Sequence, residues 1–192
     1  ALARIAIRDG ADRWTRAAVL SGLNDRALHF LDGMMEDPGA APHPSFMADL
    51  GRLVGATQAP RDLGQRHWLW PGGPGTDWKL AFWAAVAEAV RTHEKLESIE
   101  SLTERLGLEP ARLNGLSSLA IGAVRDHGRP VPVRDSALAF LRQFGREVDR
   151  GRILQLIDPL EPIDLQSAAA RALCQPGPLN SVKELLSPRL WE

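Results

Sequence analysis

One short phrase recurs three times in this chain and limits its possible folds more than any other feature. Each copy begins with a long polar residue, has a small residue two places on with an apolar residue beside it, and ends with leucine seven places after the start. The copies occupy residues 16–23, 134–141 and 166–173. Apolar residues at this spacing form one stripe on a helix. The phrase therefore predicts a short helix that packs between near-copies of itself.

The spacing of the copies indicates stacked helix pairs. The second copy begins at Arg134 and the third at Gln166. Their separation lies within the period of about 30 to 47 residues that helical solenoids use, so the two copies are expected to be one repeat apart. The small residues Ala18, Ser136 and Ala168 predict close approach of neighbouring helices, and the final leucine predicts a filled space between layers. The expected architecture is an α-solenoid of stacked antiparallel helix pairs.

Helical spacing of apolar residues continues along the whole chain, whereas alternating runs of valine, isoleucine and threonine are missing. Proline, glycine and capping residues divide this pattern into helices. The predicted helices cover about residues 1–7, 12–23, 25–36, 45–54, 77–93, 96–106, 110–124, 132–144, 149–157, 162–173 and 179–186. The sequence thus predicts an all-α fold in one domain, residues 1–192, with its most regular repeats over residues 130–192.

Residues 59–76 interrupt the pattern with clustered glycine and proline, which predicts an inserted loop. Tryptophan buries a large area at a small entropic cost, and arginine adds polar contacts, so aromatic and basic residues here are candidates for binding a partner. The candidate partner-binding residues are Arg61, Arg66, His67, Trp68 and Trp70. The alternative interpretation is that the two tryptophans hold the loop against the core.

Composition argues against several classes of function. The net charge of −1 provides no global attraction to nucleic acid or to an anionic membrane. No apolar run approaches the roughly 20 residues that cross a bilayer. The single cysteine, Cys174, excludes an internal disulfide and a multi-thiolate metal site, and its place at the end of an apolar helix predicts a buried, unreactive thiol.

No catalytic or cofactor motif is recognisable. The histidines lack ligand spacing such as His-Glu-x-x-His. His29, Asp32 and Glu36 could share one helical face, for which a solvated polar face is the favoured interpretation over a cation site. The glycines of residues 72–75 lack the Gly-Lys-Ser/Thr ending of a phosphate loop and indicate a turn. We expect no catalytic residues, no metal and no cofactor in this segment.

Residues 12–23 and 164–173 resemble HEAT-like repeats. More narrowly, they resemble those of large bacterial proteins of the planctomycete kind, membrane-bound dehydrogenase-like proteins with c-type haem. The resemblance implies a connecting or docking module in a periplasmic or cell-envelope redox protein, with haem c bound by a Cys-x-x-Cys-His segment elsewhere. This chain contains no such segment. Because both of its ends interrupt a helical pattern, we expect it to be a segment of a longer protein.

The sequence therefore predicts a non-catalytic helical-repeat scaffold or protein-interaction module, whose partners are proteins or neighbouring domains of the same chain. Two alternatives stay open. One is a HEAT-like DNA-binding or base-excision enzyme that uses Asp77, Trp78 and Arg91, although the chain lacks a large basic footprint. The other is an accessory module in which a histidine, Met34 or Met35 contacts a haem that is held elsewhere.

Overall fold

The computed structural model describes residues 1–37, 41–57, 63–70, 77–96 and 98–174. In these ranges the chain forms ten α-helices, four short 3-10 helices and no strand, so the fold is all-α. None of the described helices combines the length and the apolar character needed to cross a membrane. The α-helices are α1 Leu2–Asp9, α2 Arg13–Ser21, α3 Ala27–Met35, α4 Pro44–Thr57, α5 Asp77–Glu94, α6 Ile99–Arg105, α7 Pro110–Arg125, α8 Val131–Phe144, α9 Arg150–Leu154 and α10 Ile163–Cys174. The 3-10 helices are Asn24–Arg26, Leu63–Gln65, His67–Leu69 and Glu147–Asp149.

Local capping signals set the helix boundaries close to where the sequence predicts them. The carboxylate of Asp12 accepts a hydrogen bond of 2.6 Å from the backbone N–H of Thr15 and so caps α2. Pro110 is the first residue of α7. A backbone N–H at this position has no partner within the helix, so proline, which lacks an N–H, loses no helical hydrogen bond there. The predicted helix over residues 179–186 lies outside the described residues.

Helix α5 is the centre of the described structure. All of its residues from Trp78 to Ala87 are buried, because α4 and α8 pack against it and the segment 63–70 also contacts it. Such burial on every side explains why this stretch is apolar almost without interruption rather than amphipathic.

Two glycines bring the backbones of α4 and α5 unusually close together. A Cβ atom on Gly51 would lie 2.6 Å from the carbonyl oxygen of Phe82, and one on Gly55 would lie 2.7 Å from that of Val86. Both contacts advance along α4 and α5 in the same sense, so the two helices are parallel. The distance between packed helices depends on the side chains at the contact, and here glycine minimises it.

Helices α8 and α10 continue this parallel arrangement. Asp77, the first residue of α5, pairs with Arg129 just before α8, and Glu88 farther along α5 accepts a hydrogen bond of 2.7 Å from Arg142 near the end of α8. Helix α10 begins beside the start of α8 and packs on it. Helices α4, α5, α8 and α10 thus form a parallel row, while α7 packs on α8 and α9 on α10.

Burial bears out part of the expected helix packing. Leu23, Leu141 and Leu173, the last residues of the three phrases, are all buried. The prediction that Ala18 allows close approach of a neighbouring helix is wrong, because α2 turns this face to solvent. Ala18 is exposed, and Trp14 on the same helix is 76% exposed.

The predicted burial of Cys174 is also wrong. Cys174 is exposed, whereas its neighbour Leu173 is fully buried. Consecutive residues of a helix point in directions about 100° apart, so the last residue of α10 leaves the apolar side of the helix.

Candidate partner-binding surface

Trp70 holds the segment 63–70 against the core. Its indole is 7% exposed and stacks on Trp83 of α5, with 5.5 Å between the ring centres. Its Nε1 donates a hydrogen bond of 2.9 Å to the carbonyl of Gly64, and the guanidinium of Arg112 lies 5.4 Å from its ring centre. Trp70 therefore has little surface to offer a partner.

The other aromatic and basic candidates of this segment differ in exposure. Arg66 forms a two-point ion pair with Asp32 of α3, with 3.0 Å from Nε to Oδ1 and 3.3 Å from Nη2 to Oδ2. Trp68 is half-buried against the core, and His67 is exposed. Arg61 lies outside the described residues. The structure thus brings Arg66, His67, Trp68 and Trp70 together on one short segment, but only the first three retain exposed surface.

A buried lysine that the sequence patterns do not single out stabilises the same region. Lys79 is 4% exposed, and its Nζ donates a hydrogen bond of 2.6 Å to the carbonyl of Trp70. The ammonium also lies 5.4 Å from the ring centre of Trp78. Burial lowers the pKa of Lys79. The signal for the burial of Lys79 in the sequence is the apolar run of α5 in which it stands.

The polar residue that begins each copy of the phrase donates a hydrogen bond to a backbone carbonyl earlier in the chain. For Arg16 and Gln166 this carbonyl lies five residues earlier, whereas for Arg134 it lies ten residues earlier, in the last turn of α7. The bonds are 2.7–2.8 Å long, and the acceptors are the carbonyls of Ala11, Val124 and Glu161. A long donor at this position therefore stabilises the entry into α2 and α10, and in α8 it joins the helix to the end of α7.

The two arginines among these residues also join neighbouring helices. Arg16 on α2 pairs with Asp49 on α4 at 2.7 Å. Arg134 on α8 donates two hydrogen bonds of 2.8 Å to the carboxylate of Glu161, just before α10. Hydrogen bonds from Arg134, with smaller contributions from the charges of Arg134 and His127, hold the pKa of Glu161 below its usual range.

A groove lies beside the starts of α4 and α8. It consists of two cavities of about 490 and 330 Å³ that share His43, Pro44 and Val133 in their walls. The smaller cavity has mainly apolar walls, and its further lining includes Ile7, Ala11, Pro42 and Trp78. The larger cavity is more polar, and its further lining includes Arg16, Asp49, Arg52 and Asp135. The smaller cavity is thus the more apolar of the two, although Arg8 and Asp77 also line it.

Most charged groups of the groove are already engaged in ion pairs. Asp49 pairs with both Arg16 and Arg52. In the smaller cavity, Asp77 pairs with Arg129. The fixed charges of the groove therefore largely compensate one another.

One buried polar atom of the residues that line the smaller cavity has no partner in the described part of the chain. The indole Nε1 of Trp78 is buried and makes no hydrogen bond to any residue that the structure describes, although Trp78 lines the cavity of about 330 Å³. Leaving a buried donor unpaired costs about 1–3 kcal/mol.

The residues considered for a DNA-modifying site are not brought together. Asp77 and Trp78 stand at the start of α5 and Arg91 near its end, about 21 Å apart along an axis that rises about 1.5 Å per residue. Arg91 donates hydrogen bonds to the carbonyls of Leu96 and Gln143. Its guanidinium is thereby engaged at the opposite end of the helix.

The groups considered for metal or haem contact lie apart as well. Met34 is 1% exposed and has no surface for a cofactor, while the five histidines are exposed. Asp32 faces Arg66, which satisfies its carboxylate. Among the described residues, no three or more His, Cys, Asp or Glu side chains are gathered as they would be around a metal ion.

Comparison with known proteins provides no further guide. No protein-family model, no curated protein and no solved structure matches this chain.

Proposed function

We propose that this chain is a non-catalytic helical-repeat scaffold of the HEAT-like α-solenoid kind, which presents a groove to a protein partner. The observation that carries the proposal is the parallel row, in which α8 packs between α5 and α10, with α7 packed on α8 and α9 packed on α10. In a solenoid of helix pairs, corresponding helices of successive pairs lie side by side in this way. The equivalent hydrogen bonds of Arg16 and Gln166, each to the carbonyl five residues earlier, add local support for a repeat.

The groove supports the interaction role. Stacked helix pairs create extended concave surfaces that such proteins use for binding. The two cavities, which share three wall residues, have volumes in the range of about 300–1,000 Å³ that is typical of ligand pockets. The exposed members of the segment 63–70, His67 and Trp68, provide a second surface for the same partner or for a neighbouring domain.

We also propose, from the resemblance of residues 12–23 and 164–173, that the module serves a larger bacterial redox protein with haem c bound elsewhere. Its role there would be to connect or dock domains. The coding sequence on either side of this chain tests the proposal. A Cys-x-x-Cys-His segment would support it, and complete flanking sequence without one would reject it.

Site-specific photo-crosslinking tests the interaction role. A photo-reactive amino acid replaces Ser136 in the groove or, as the control, Ser118 on the exposed face of α7. We expect a discrete crosslinked protein from position 136 and none from position 118. The partner is then identified and purified, and its Kd is measured with the wild-type chain.

Matched substitutions complete the test. Ala48→Glu places a charge in the groove, whereas Ala18→Glu places the same charge on the exposed face of α2. We expect the first to weaken binding of the purified partner at least about tenfold, equivalent to about 1.4 kcal/mol, and the second to leave the Kd unchanged. Equal effects of both substitutions, or equal crosslinking at both serines, would reject the groove as the binding surface.

A further inference from the structure

A cavity of about 370 Å³, which we call the α9 cavity, lies between the end of α7, helix α9 and the segment before α10. Residues 125, 127, 152, 155, 156, 158, 160 and 161 line it, and it shares no lining residue with the groove beside α4 and α8. Its volume lies near the lower end of the range of about 300–1,000 Å³ that ligand pockets occupy. A ligand of this cavity is therefore a small molecule.

The two carboxylates in the wall already accept strong hydrogen bonds within the chain. Both oxygens of Glu161 accept bonds of 2.8 Å from Arg134. The Oδ1 atom of Asp158 accepts a bond of 2.8 Å from the backbone N–H of Leu160. These carboxylates therefore have little capacity left to accept a hydrogen bond from a ligand.

The arginines in the wall, in contrast, retain unused donors. Arg125, the last residue of α7, forms no ion pair and no side-chain hydrogen bond with any residue that the structure describes. Nη1 of Arg152 lies 3.7 Å from Oδ1 of Asp149, which is too long for a hydrogen bond. Because a guanidinium carries five N–H donors, the wall has a surplus of donors. An occupant must bring acceptors.

The charges of the wall favour an acceptor group with one negative charge. A carboxylate can accept two parallel hydrogen bonds from one guanidinium, such as that of Arg125. A doubly charged phosphate also suits arginine, but Asp158 and Glu161 line the same cavity and would repel its second charge. The wall thus favours a monocarboxylate over a phosphate.

Leucine side chains in the wall add an apolar requirement. Leu156 is 4% exposed and Leu160 is 94% exposed, and both line the cavity. An apolar group that covers such a side chain gains about 25 cal/mol for each Å² of apolar surface that is removed from water. The carboxylate should therefore be attached to an apolar body.

We propose that the α9 cavity binds a small monocarboxylic acid, with its carboxylate on the guanidinium of Arg125 and its apolar body against Leu156 and Leu160. This site goes beyond the proposed scaffold role, because none of its residues belongs to the groove.

Titration of the whole chain with hexanoate, followed by nuclear magnetic resonance of the backbone amides, tests the proposal. We expect saturable binding, with shifts centred on the residues that line the α9 cavity. Hexanamide has the same apolar body without the charge and should bind at least about tenfold more weakly, because charge-assisted hydrogen bonds are lost. Inorganic phosphate should bind more weakly than hexanoate.

Substitutions at exposed positions, which the fold should tolerate, locate the binding groups. Arg125→Gln should weaken hexanoate binding about tenfold. Arg4→Gln removes the same charge from the exposed face of α1 and should leave the Kd unchanged. Leu160→Ser should weaken binding of hexanoate but not of acetate, which lacks the longer apolar body.

Several outcomes would overturn the inference. They are the absence of saturable hexanoate binding, equal affinity for hexanamide, tighter binding of phosphate, equal effects of the two arginine substitutions, and an unchanged hexanoate affinity in Leu160→Ser. Crosslinking at position 136 decides the scaffold role separately, because Ser136 lies in the groove and not in the α9 cavity.

Discussion

Arg134 and Glu161 show how single side chains hold neighbouring helices together. Their side chains are 3% and 6% exposed. Removal of two charges from water costs several kcal/mol for each ion. Two hydrogen bonds between them and a third from the Nε of Arg134 to the carbonyl of Val124 offset this cost. Loss of either partner would leave the other charge buried and unpaired.

Glu161→Gln should lower the free energy of unfolding by about 3–5 kcal/mol, because Arg134 then remains buried opposite a neutral group. Glu109→Gln is the control, since Glu109 pairs with Arg112 at the surface with its side chain 63% exposed, where a pair contributes about 0–1 kcal/mol. Urea unfolding of both variants measures the difference. Losses of equal size would contradict the assignment of a buried pair.

The same variant tests a dependence on pH. Because the pKa of Glu161 is lowered in the folded state, its contribution to stability is present above the ordinary value of about 4.5 and is lost as the pH falls through the folded value. The difference in unfolding free energy between the wild type and Glu161→Gln should therefore shrink in acid. A difference that stays constant from neutral pH to about pH 3 would contradict this mechanism.

Lys79 should produce a slope of the same sign in alkali. Burial lowers the pKa of Lys79, so the folded chain releases the ammonium proton at a lower pH than the unfolded chain does. In the unfolded chain a lysine titrates at about 10.4. The unfolding free energy of the wild type relative to Lys79→Met should therefore rise as the pH increases toward that value. Lys95→Met, at an exposed position, is the control and should show no such trend. Urea unfolding between neutral pH and pH 10 measures both, and a flat curve for Lys79→Met would contradict the effect.

At the scale of elements, α4 and α5 depend on glycine for their close contact. A Cβ atom on Gly55 would lie 2.7 Å from the carbonyl oxygen of Val86 and 2.8 Å from the Cβ of Ala89. Backbone atoms cannot move aside without shifting a whole helix. The pattern Gly51-x-x-x-Gly55 in the sequence carries this signal, although it does not reveal which helix lies opposite.

Gly55→Ala should lower the unfolding free energy by about 1–3 kcal/mol through overpacking. Gly122→Ala is the matched control within α7, where nothing lies within 4 Å of the added Cβ. Alanine there should raise the unfolding free energy by about 0.5–1 kcal/mol, because it restricts the unfolded chain and favours the helix. Thermal and urea unfolding measure both changes. If both substitutions shift the unfolding free energy in the same direction, the inference that the contact of α4 and α5 leaves no room for a side chain at position 55 is contradicted.

The segment 63–70 is an element without a long helix, and three contacts give it a defined position. Trp70 stacks on Trp83, and Lys79 and Arg112 donate to the carbonyls of Trp70 and Gly64. These contacts explain why an aromatic residue in a glycine-rich stretch can be part of the core. Because Trp70 is buried, His67 and Trp68 are the aromatic candidates for partner binding that retain exposed surface in this segment.

At the scale of the whole molecule, the parallel row makes burial uneven. Helix α5 is covered on all sides, whereas the large apolar side chains with the greatest exposure in the described ranges are Trp14, Val148, Leu160 and Ile163. Stacked repeats are stabilised by their nearest neighbours, so elements in the middle of the row gain more than those at its ends.

Hydrogen–deuterium exchange should reflect this arrangement. We expect the slowest amide exchange in residues 78–87 of α5 and faster exchange in α1 and α10, because opening at the ends of a stack exposes less surface than opening at its centre. Mass spectrometry of peptic fragments measures the rates. Uniform protection of all helices would indicate one cooperative unit and would weigh against a stack of repeats.

The sequence by itself determined which residues are helical. Asp12, Pro110 and the phrase leucines act through backbone geometry and apolar spacing within a few residues, so their signals can be read without knowledge of the rest of the chain. The same local logic identifies the inserted segment.

Only the tertiary structure decided which helices are neighbours and which side chains face them. It paired Arg134 with Glu161, and it turned Trp70 inward and Trp14 outward. These outcomes depend on contacts between elements that are distant along the chain. A periodic pattern specifies that a helix has an apolar face but not what covers it, because burial is a property of the packed assembly.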